Sequence, residues 1–215
     1  MLYNLKLDLQ AFFQLSVIFK LIKMNKELPN IQKEETIWLN FKNGSEKAFK
    51  ILFDKYFSCL YSYGLQISTH KALVKDCIQN LFVELWKNKA NLTEVKCVKK
   101  YLYISLRRKI IKELIRENKF KVDQLSENYD FEVTFPHEIL LINDQSELEI
   151  QEKLLKSFEN LSKRQKEAIY LRFYENMEYE DIAIVLSLKN VKYARTLIYR
   201  AIEVLKFNIS KEEIF

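Results

Sequence analysis
Glycine and proline are nearly absent: the chain has two of each in 215 residues. Sandwiches and barrels turn on many Gly- or Pro-containing loops, so this scarcity points away from them and toward an all-helical protein. Cysteine is scarce too, and its three copies, Cys59, Cys77 and Cys97, are odd in number and far apart. With no C-x-x-C pair they argue against a disulfide framework and a zinc site, and they fit a reducing cytoplasm. There are two histidines, His70 and His137, the second beside Pro136. They belong to no catalytic constellation, so no enzymatic activity, cofactor, metal or small-molecule substrate is expected. No clean apolar run reaches the ~20 residues of a membrane span. The nearest approach is Ala11–Ile22 within the apolar Met1–Lys23, which Gln14 and Lys20 interrupt and no small-x-small cleavage site follows. Two readings of this opening stretch remain: a weakly amphipathic interaction segment, or translated upstream sequence with the true start at Met24. Neither implies stable membrane insertion.

Charge is present in blocks. Lys96–Lys121 carries ten Lys or Arg against two Glu, and Val122–Glu152 carries nine Asp or Glu with no Lys or Arg. Leu186–Lys206 is basic again through Lys189, Lys192, Arg195, Arg200 and Lys206, against Glu203. The net charge of +6 is thus arranged as two basic regions separated by an acidic one. Two polyanion-binding surfaces on one chain would have this pattern.

Hydrophobic periodicity gives the helices. Ser45, after Gly44, is a plausible N-cap. Phe49, Leu52, Phe53, Tyr56, Phe57, Leu60 and Tyr61 follow at helical spacing, until Gly64 and the Ser68–Thr69 pair break or bend the helix. A second helix is predicted over about Lys71–Lys87, burying Val74, Ile78, Leu81, Phe82 and Leu85. Asn88–Glu94 reads as a loop. A third helix runs from about Val98 to Arg116, with apolar Leu102, Ile110, Ile111, Leu114 and Ile115 among its basic residues. The acidic stretch Val122–Asp144, containing Pro136, reads as a linker. Helices resume near Ser146. Ser162 and Gln165 form a capping-box pattern for a helix through about Tyr174. A short helix at about Tyr179–Leu186 and a last helix at about Asn190–Phe207 follow.

A short helix, a turn and a longer basic helix make a helix-turn-helix candidate. On the wheel of the last helix Val191, Ala194, Ile198, Ala201 and Leu205 lie together and should pack inward. Lys192, Tyr193, Thr196 and Arg200 lie roughly opposite and are types that contact phosphates and base edges. Arg195 lies on the flank, better placed for phosphate. An ordinary amphipathic helix with a solvated basic face would look the same. On the second helix Asp76, Gln79, Asn80 and Lys87 share the face opposite the apolar stripe, with Val83 in their midst. That placement hints at a protein interface, although a single stray surface Val is the other reading.

These residues resemble a known family. Phe53-Asp54-x-Tyr56-Phe57-x-x-Leu60-Tyr61-x-Tyr63 is similar to the opening helix of sigma domain 2. Asp76-x-x-Gln79-x-Leu81-Phe82-x-x-Leu85-Trp86 resembles the polymerase-binding helix of extracytoplasmic-function sigma factors, and Tyr101-Leu102-Tyr103-Ile104-Ser105-Leu106-Arg107 their promoter-melting helix. Leu161-Ser162-x-Arg164-Gln165, Tyr170-x-Arg172-Phe173, Tyr179-Glu180-Asp181-Ile182-Ala183 and Ile198-Tyr199-Arg200-Ala201 resemble sigma domain 4, in a form most similar to that of Bacteroidetes-type bacteria.

The resemblance implies two small helical domains joined by an acidic linker: an N-terminal extension at 1–35, domain 2 at 36–118, the linker at 119–146 and the helix-turn-helix domain 4 at 147–208. It implies a cytoplasmic initiation factor whose partners are core RNA polymerase, promoter DNA and an anti-sigma protein. Asp76, Gln79, Asn80, Val83 and Lys87 would dock on the polymerase. Asn88, Asn91, Lys99, Lys100, Tyr101, Arg107, Arg108 and Lys112 would hold the melted minus-ten element. The loop Lys87–Cys97 would capture a flipped base. Asn190, Lys192, Tyr193, Arg195, Thr196 and Arg200 would read the minus-thirty-five element. The acidic linker would thread the RNA exit path. Melting needs a basic track and pockets for an extruded base, not a nucleophile. Tyr101, Tyr103, Asn88 and Asn91 are the available types, with Tyr103 as core and the Asn pair as plain loop formers the alternatives.

The chain also departs from the family pattern. Asn80 stands where an acidic residue is usual, and Glu178 replaces a Ser or Thr cap. Leu186–Val191 lacks the family's turn Gly and is one residue longer than its commonest form. Leu197 occupies a position often basic. The rival reading is a stand-alone helix-turn-helix regulator, which would bind duplex DNA unaided and would not need the domain 2 motifs.

Overall fold
Side-chain caps mark the starts of several helices. The computed structural model describes residues 31–92, 97–118, 129–133 and 156–211; the N-terminal segment, most of the acidic linker and the helix start expected near Ser146 lie outside the described residues. All the regular structure among the described residues is helical, as expected. No helix among them is long and apolar enough to cross a membrane. The chain divides into two compact units, one spanning Leu28–Phe131 and one containing Glu132–Phe215.

The first unit contains α1 (Ile31–Lys42), α2 (Glu46–Ile67), α3 (Lys71–Asn88), a 3-10 turn (Lys89–Asn91) and α4 (Val98–Asn118). Ser45 is the N-cap of α2, its hydroxyl accepting from the Ala48 N–H at 3.2 Å. Ser68 ends the same helix, its backbone N–H donating to the Gly64 carbonyl. The predicted stripes of α2, α3 and α4 bury Leu52, Tyr56, Leu60, Val74, Ile78, Leu81, Phe82, Leu85, Leu102 and Ile110.

The unit is larger than the motifs that announced it. It takes in α1, whose Trp38 and Phe41 are buried with ring centroids 5.3 Å apart. Phe41 stacks on Phe49, Phe49 meets Trp86 at 5.1 Å, and Phe53 meets Phe82 edge-on at 5.0 Å. Trp38 reaches Tyr101 of α4 at 5.8 Å. This aromatic cluster joins all four helices, and such ring pairs add about 0.5–1.5 kcal/mol each beyond their burial. Glu34 is buried in α1, where it accepts from the Tyr56 hydroxyl and pairs with Lys55 at 2.5 Å. Burial first, and Glu34 second, push the Tyr56 hydroxyl well above its ordinary pKa, so it remains a donor.

Gly64 does not break α2, contrary to expectation, whereas the helix does end at Ser68. The helix runs through it to Ile67, and the missing side chain leaves room for neighbours. A Cβ there would lie 2.5 Å from Val74 Cγ1 and 3.2 Å from Ile110 Cδ1. Gly64→Ala should therefore destabilise the unit. Overpacking costs about 1–3 kcal/mol, and the gain in helix propensity, about 1 kcal/mol, offsets only part of it. A thermal melt should show a lower Tm. An unchanged or higher Tm would mean that Val74 yields freely.

In the second unit residues 156–159 are helical, followed by α5 (Lys163–Ile169), a π-helical turn (Tyr170–Tyr174), α6 (Tyr179–Val185) and α7 (Val191–Lys211). Both bonds of the Ser162–Gln165 capping box are present. The helix was expected to stay regular through about Tyr174, but its last turn widens into a π-turn from Tyr170. Of the α7 face expected to pack inward, Ala194, Ile198, Ala201 and Leu205 are buried and Val191 is half-buried; α7 packs on α5 and α6, and Ala168, Leu171, Ile182 and Val185 are buried in the same unit.

The turn between α6 and α7 explains how the chain manages without a glycine. Ser187 adopts φ of +53°. Its N–H donates to the Ile184 carbonyl at 3.1 Å, and the Leu188 N–H to the Ala183 carbonyl at 2.8 Å, the two bonds of a Schellman motif. A serine thus occupies the left-handed position that glycine usually takes.

Candidate functional site
Helical spacing on α3 brings Asp76, Gln79, Asn80, Val83 and Lys87 onto one side, and all five are exposed. Val83 is 48% exposed at the centre of this polar face. Each turn buries its other side, through Val74, Cys77, Ile78, Leu81, Phe82 and Leu85. The face is therefore backed by the core, and the described residues of its own unit leave Val83 exposed.

The basic helix α4 divides its cations. Arg108 and Lys112 are exposed, Lys99 and Lys100 are half-buried, and Arg107 is buried at 8% exposure. Arg107 Nη2 donates to the Tyr129 hydroxyl at 2.8 Å, and its guanidinium lies 4.8 Å from the centre of that ring. It was expected among the strand-holding cations, but on the α4 wheel it falls with Tyr103 and Ile110 on the inward face. There it ties residues 129–131, expected to be linker, to the first unit. Phe131 joins it in the core, 6.2 Å from Tyr63. Tyr103 is fully buried, 4.8 Å from Tyr63, which leaves Tyr101 as the half-buried aromatic nearer the surface. Lys109, not singled out from the sequence, pairs with Glu84 of α3 at 2.5 Å.

Asn88 and Asn91 are both exposed, but neither sits in an irregular loop. Asn88 is the last residue of α3, its Nδ2 donating to the Glu84 carbonyl at 3.0 Å, and Asn91 closes the 3-10 turn. The Lys89 ammonium covers the Trp86 ring at 4.2 Å. The remainder of the expected base-capturing loop, residues 93–96, lies outside the described residues.

In the second unit α6, the Ser187 turn and α7 form a helix-turn-helix. Lys192, Tyr193, Arg195, Thr196 and Arg200 are all exposed on the outward side of α7. Asn190 has a different local job. It stands at the head of α7, and its Oδ1 accepts from the Tyr193 N–H at 3.2 Å, as a helix cap does. Glu178 occupies the N-cap position of α6 with no side-chain capping bond. Its carboxylate instead pairs with Arg172 at 3.3 Å. Sequence reasoning missed Tyr199, which is exposed between Arg195 and Lys192 on the wheel and, at 64%, is the most exposed large hydrophobic among the described residues. It also gave Tyr179 no role of its own. Arg172 lies 4.6 Å and Arg195 5.5 Å from the centre of the Tyr179 ring. No local spacing rule brings those three together, because they come from three elements.

Residues 151–205 match the family model for sigma-70 region 4. No curated protein matches the chain. Among solved structures, the chain is similar to CnrH in its complex with the cytosolic domain of CnrY, at 18% identity and a TM-score of 0.53, over 83% of this chain and 97% of that one. It is also similar to the sigma factor RpoE of Bartonella quintana in complex with the anti-sigma factor NepR, at 18% identity and a TM-score of 0.55, over 76% and 98% of the two chains. The segment that contains the helix-turn-helix is thus the part of the chain that matches sigma-70 region 4. Over most of its length the chain shares the fold of CnrH and of RpoE.

Proposed function
We propose that this protein is a cytoplasmic transcription initiation factor that binds core RNA polymerase, melts the minus-ten element and reads the minus-thirty-five element. The observation that carries the reading is the pairing, within one unit, of an exposed polar face centred on Val83 with the exposed cations Arg108 and Lys112. A stand-alone duplex-binding regulator needs neither. In this reading Asp76, Gln79, Asn80, Val83 and Lys87 dock on the polymerase. Arg108 and Lys112, helped by Lys99 and Lys100, follow the separated strand, while Asn88, Asn91 and Tyr101 lie where an extruded base would be received. Lys192, Tyr193, Thr196 and Arg200 face the duplex, and Arg195 a phosphate. The protein acts by binding, so no catalytic residue, metal or cofactor enters.

The two similar structures are complexes, one of them with an anti-sigma factor. An anti-sigma protein covering the polymerase-docking face is the corresponding partner here. Co-purification from the native cell should recover core polymerase or such a partner.

Run-off transcription with cognate core polymerase tests the reading. The native chain should direct specific transcripts. Val83→Asp combined with Gln79→Ala should weaken core binding at least tenfold, the equivalent of about 1.4 kcal/mol, with helical content unchanged by circular dichroism. A charge placed at the centre of a docking face loses its hydration on binding, which is why the effect should be large. Native polymerase affinity in the double variant would sink the docking assignment. No transcripts, together with tight unaided binding of duplex DNA, would favour the stand-alone regulator.

A further inference from the structure
Among the described residues, two other side chains hold Arg195 of the α7 DNA face in place. Its guanidinium lies 5.5 Å from the centre of the Tyr179 ring, and its Nη2 lies 3.6 Å from Glu180 Oε1. Tyr179 is engaged a second time by Arg172, at 4.6 Å. Arg172 is fixed in turn by the Met177 carbonyl at 2.8 Å and by Glu178 at 3.3 Å. Two arginines and two glutamates thus surround one half-buried ring at the start of α6. The charges balance, so two guanidinium groups share one ring without net repulsion.

Stability does not account for this arrangement. The Arg195 and Glu180 side chains are 64% and 58% exposed, and an ion pair that open to water contributes little to folding. Its consequence is orientation. A free arginine on a helix surface samples many rotamers and loses that freedom when it grips a phosphate. A guanidinium stacked on a ring keeps its N–H edges directed outward.

We propose that Tyr179 is a positioning residue for DNA recognition: its ring holds Arg195 ready for a backbone phosphate, and Glu180 occupies the guanidinium until the phosphate displaces it. The proposal rests on the helix-turn-helix reading the promoter as set out above. It makes two predictions of opposite sign on adjacent residues. Removing the ring loses what Arg195 provides, whereas removing the Glu180 charge takes away a competitor and tightens binding.

The test uses the full chain assembled with core polymerase and a labelled duplex selected by that assembly from random-sequence DNA. Affinity is measured from low to moderate salt. Arg195→Ala should weaken binding roughly three- to tenfold and lower the salt slope by about one, as expected for one lost phosphate contact. Tyr179→Leu should do the same, and the double variant should be no worse than either single one. Tyr179→Phe keeps the ring and should bind like the native chain. Glu180→Gln should bind more tightly, with a native or steeper slope. Thermal melts of each variant separate positioning from folding, because lost fold would not be rescued by Phe alone with the slope restored. Additive losses in the double variant, or a native slope in Tyr179→Leu, would overturn the proposal while leaving promoter reading intact. If the assembly selects no duplex at all, the proposed function fails and the role of Tyr179 fails with it.

Discussion
Arg107→Ala should destabilise the first unit by about 2–4 kcal/mol, a larger loss than removal of any exposed cation. The estimate combines a hydrogen bond to a charged group, about 1.5–3 kcal/mol, with a partly desolvated cation–π contact, about 2 kcal/mol, discounted because the two share one partner. Both terms come from Tyr129, 22 residues along the chain, whose hydroxyl accepts at 2.8 Å. Tyr129→Phe keeps the ring contact and should cost less, about 1–2 kcal/mol. Urea or thermal unfolding of the two variants provides the measurement. The family resemblance implies a promoter-melting role for Arg107, and that role predicts the reverse: normal stability with failed strand opening. An Arg107→Ala protein with a native melting curve would restore that role and remove the proposed tie between residues 129–131 and α4.

The second large effect separates the two DNA surfaces. Arg108→Ala with Lys112→Ala should impair formation of the open complex, and a promoter carrying a pre-melted bubble should rescue it. A bubble removes the cost of unpairing, a few kcal/mol per extruded base, and so reduces the demand on the strand-holding track. Lys192→Ala and Arg200→Ala should not recover on the same template, because the bubble leaves duplex recognition untouched. Each should cost about 1–3 kcal/mol if its side chain reads a base edge, or lower the salt slope by about one if it holds a phosphate. Permanganate footprinting on linear and bubble templates reads both outcomes. If the two sets respond alike, the division between a melting unit and a reading unit is wrong. All four side chains are exposed, so their removal should leave the fold nearly unchanged, and Arg107 supplies the contrast.

The sequence by itself determined whatever depends on neighbours within one turn or one helix. Ser45 and the Ser162–Gln165 box marked helix starts because capping bonds are local, three residues long. The buried stripes of α3 and α7, and hence the exposure of Val83, Lys192 and Arg200, followed from the helical period, since burying one face fixes the opposite one. Tertiary structure alone decided everything that joins distant segments. Gly64 could be read as a break from its propensity, but Val74 and Ile110 pack into the space above it and keep the helix whole. Arg107 had the character of a DNA-facing cation until Tyr129 gave it a buried partner. Trp38 and Phe41 brought α1 into the core through rings on α2, α3 and α4. Tyr179 gathered arginines from two other elements. Periodicity reports which face of a helix is apolar, whereas the partner that meets a given side chain depends on how separate helices pack, and no spacing along the chain encodes that.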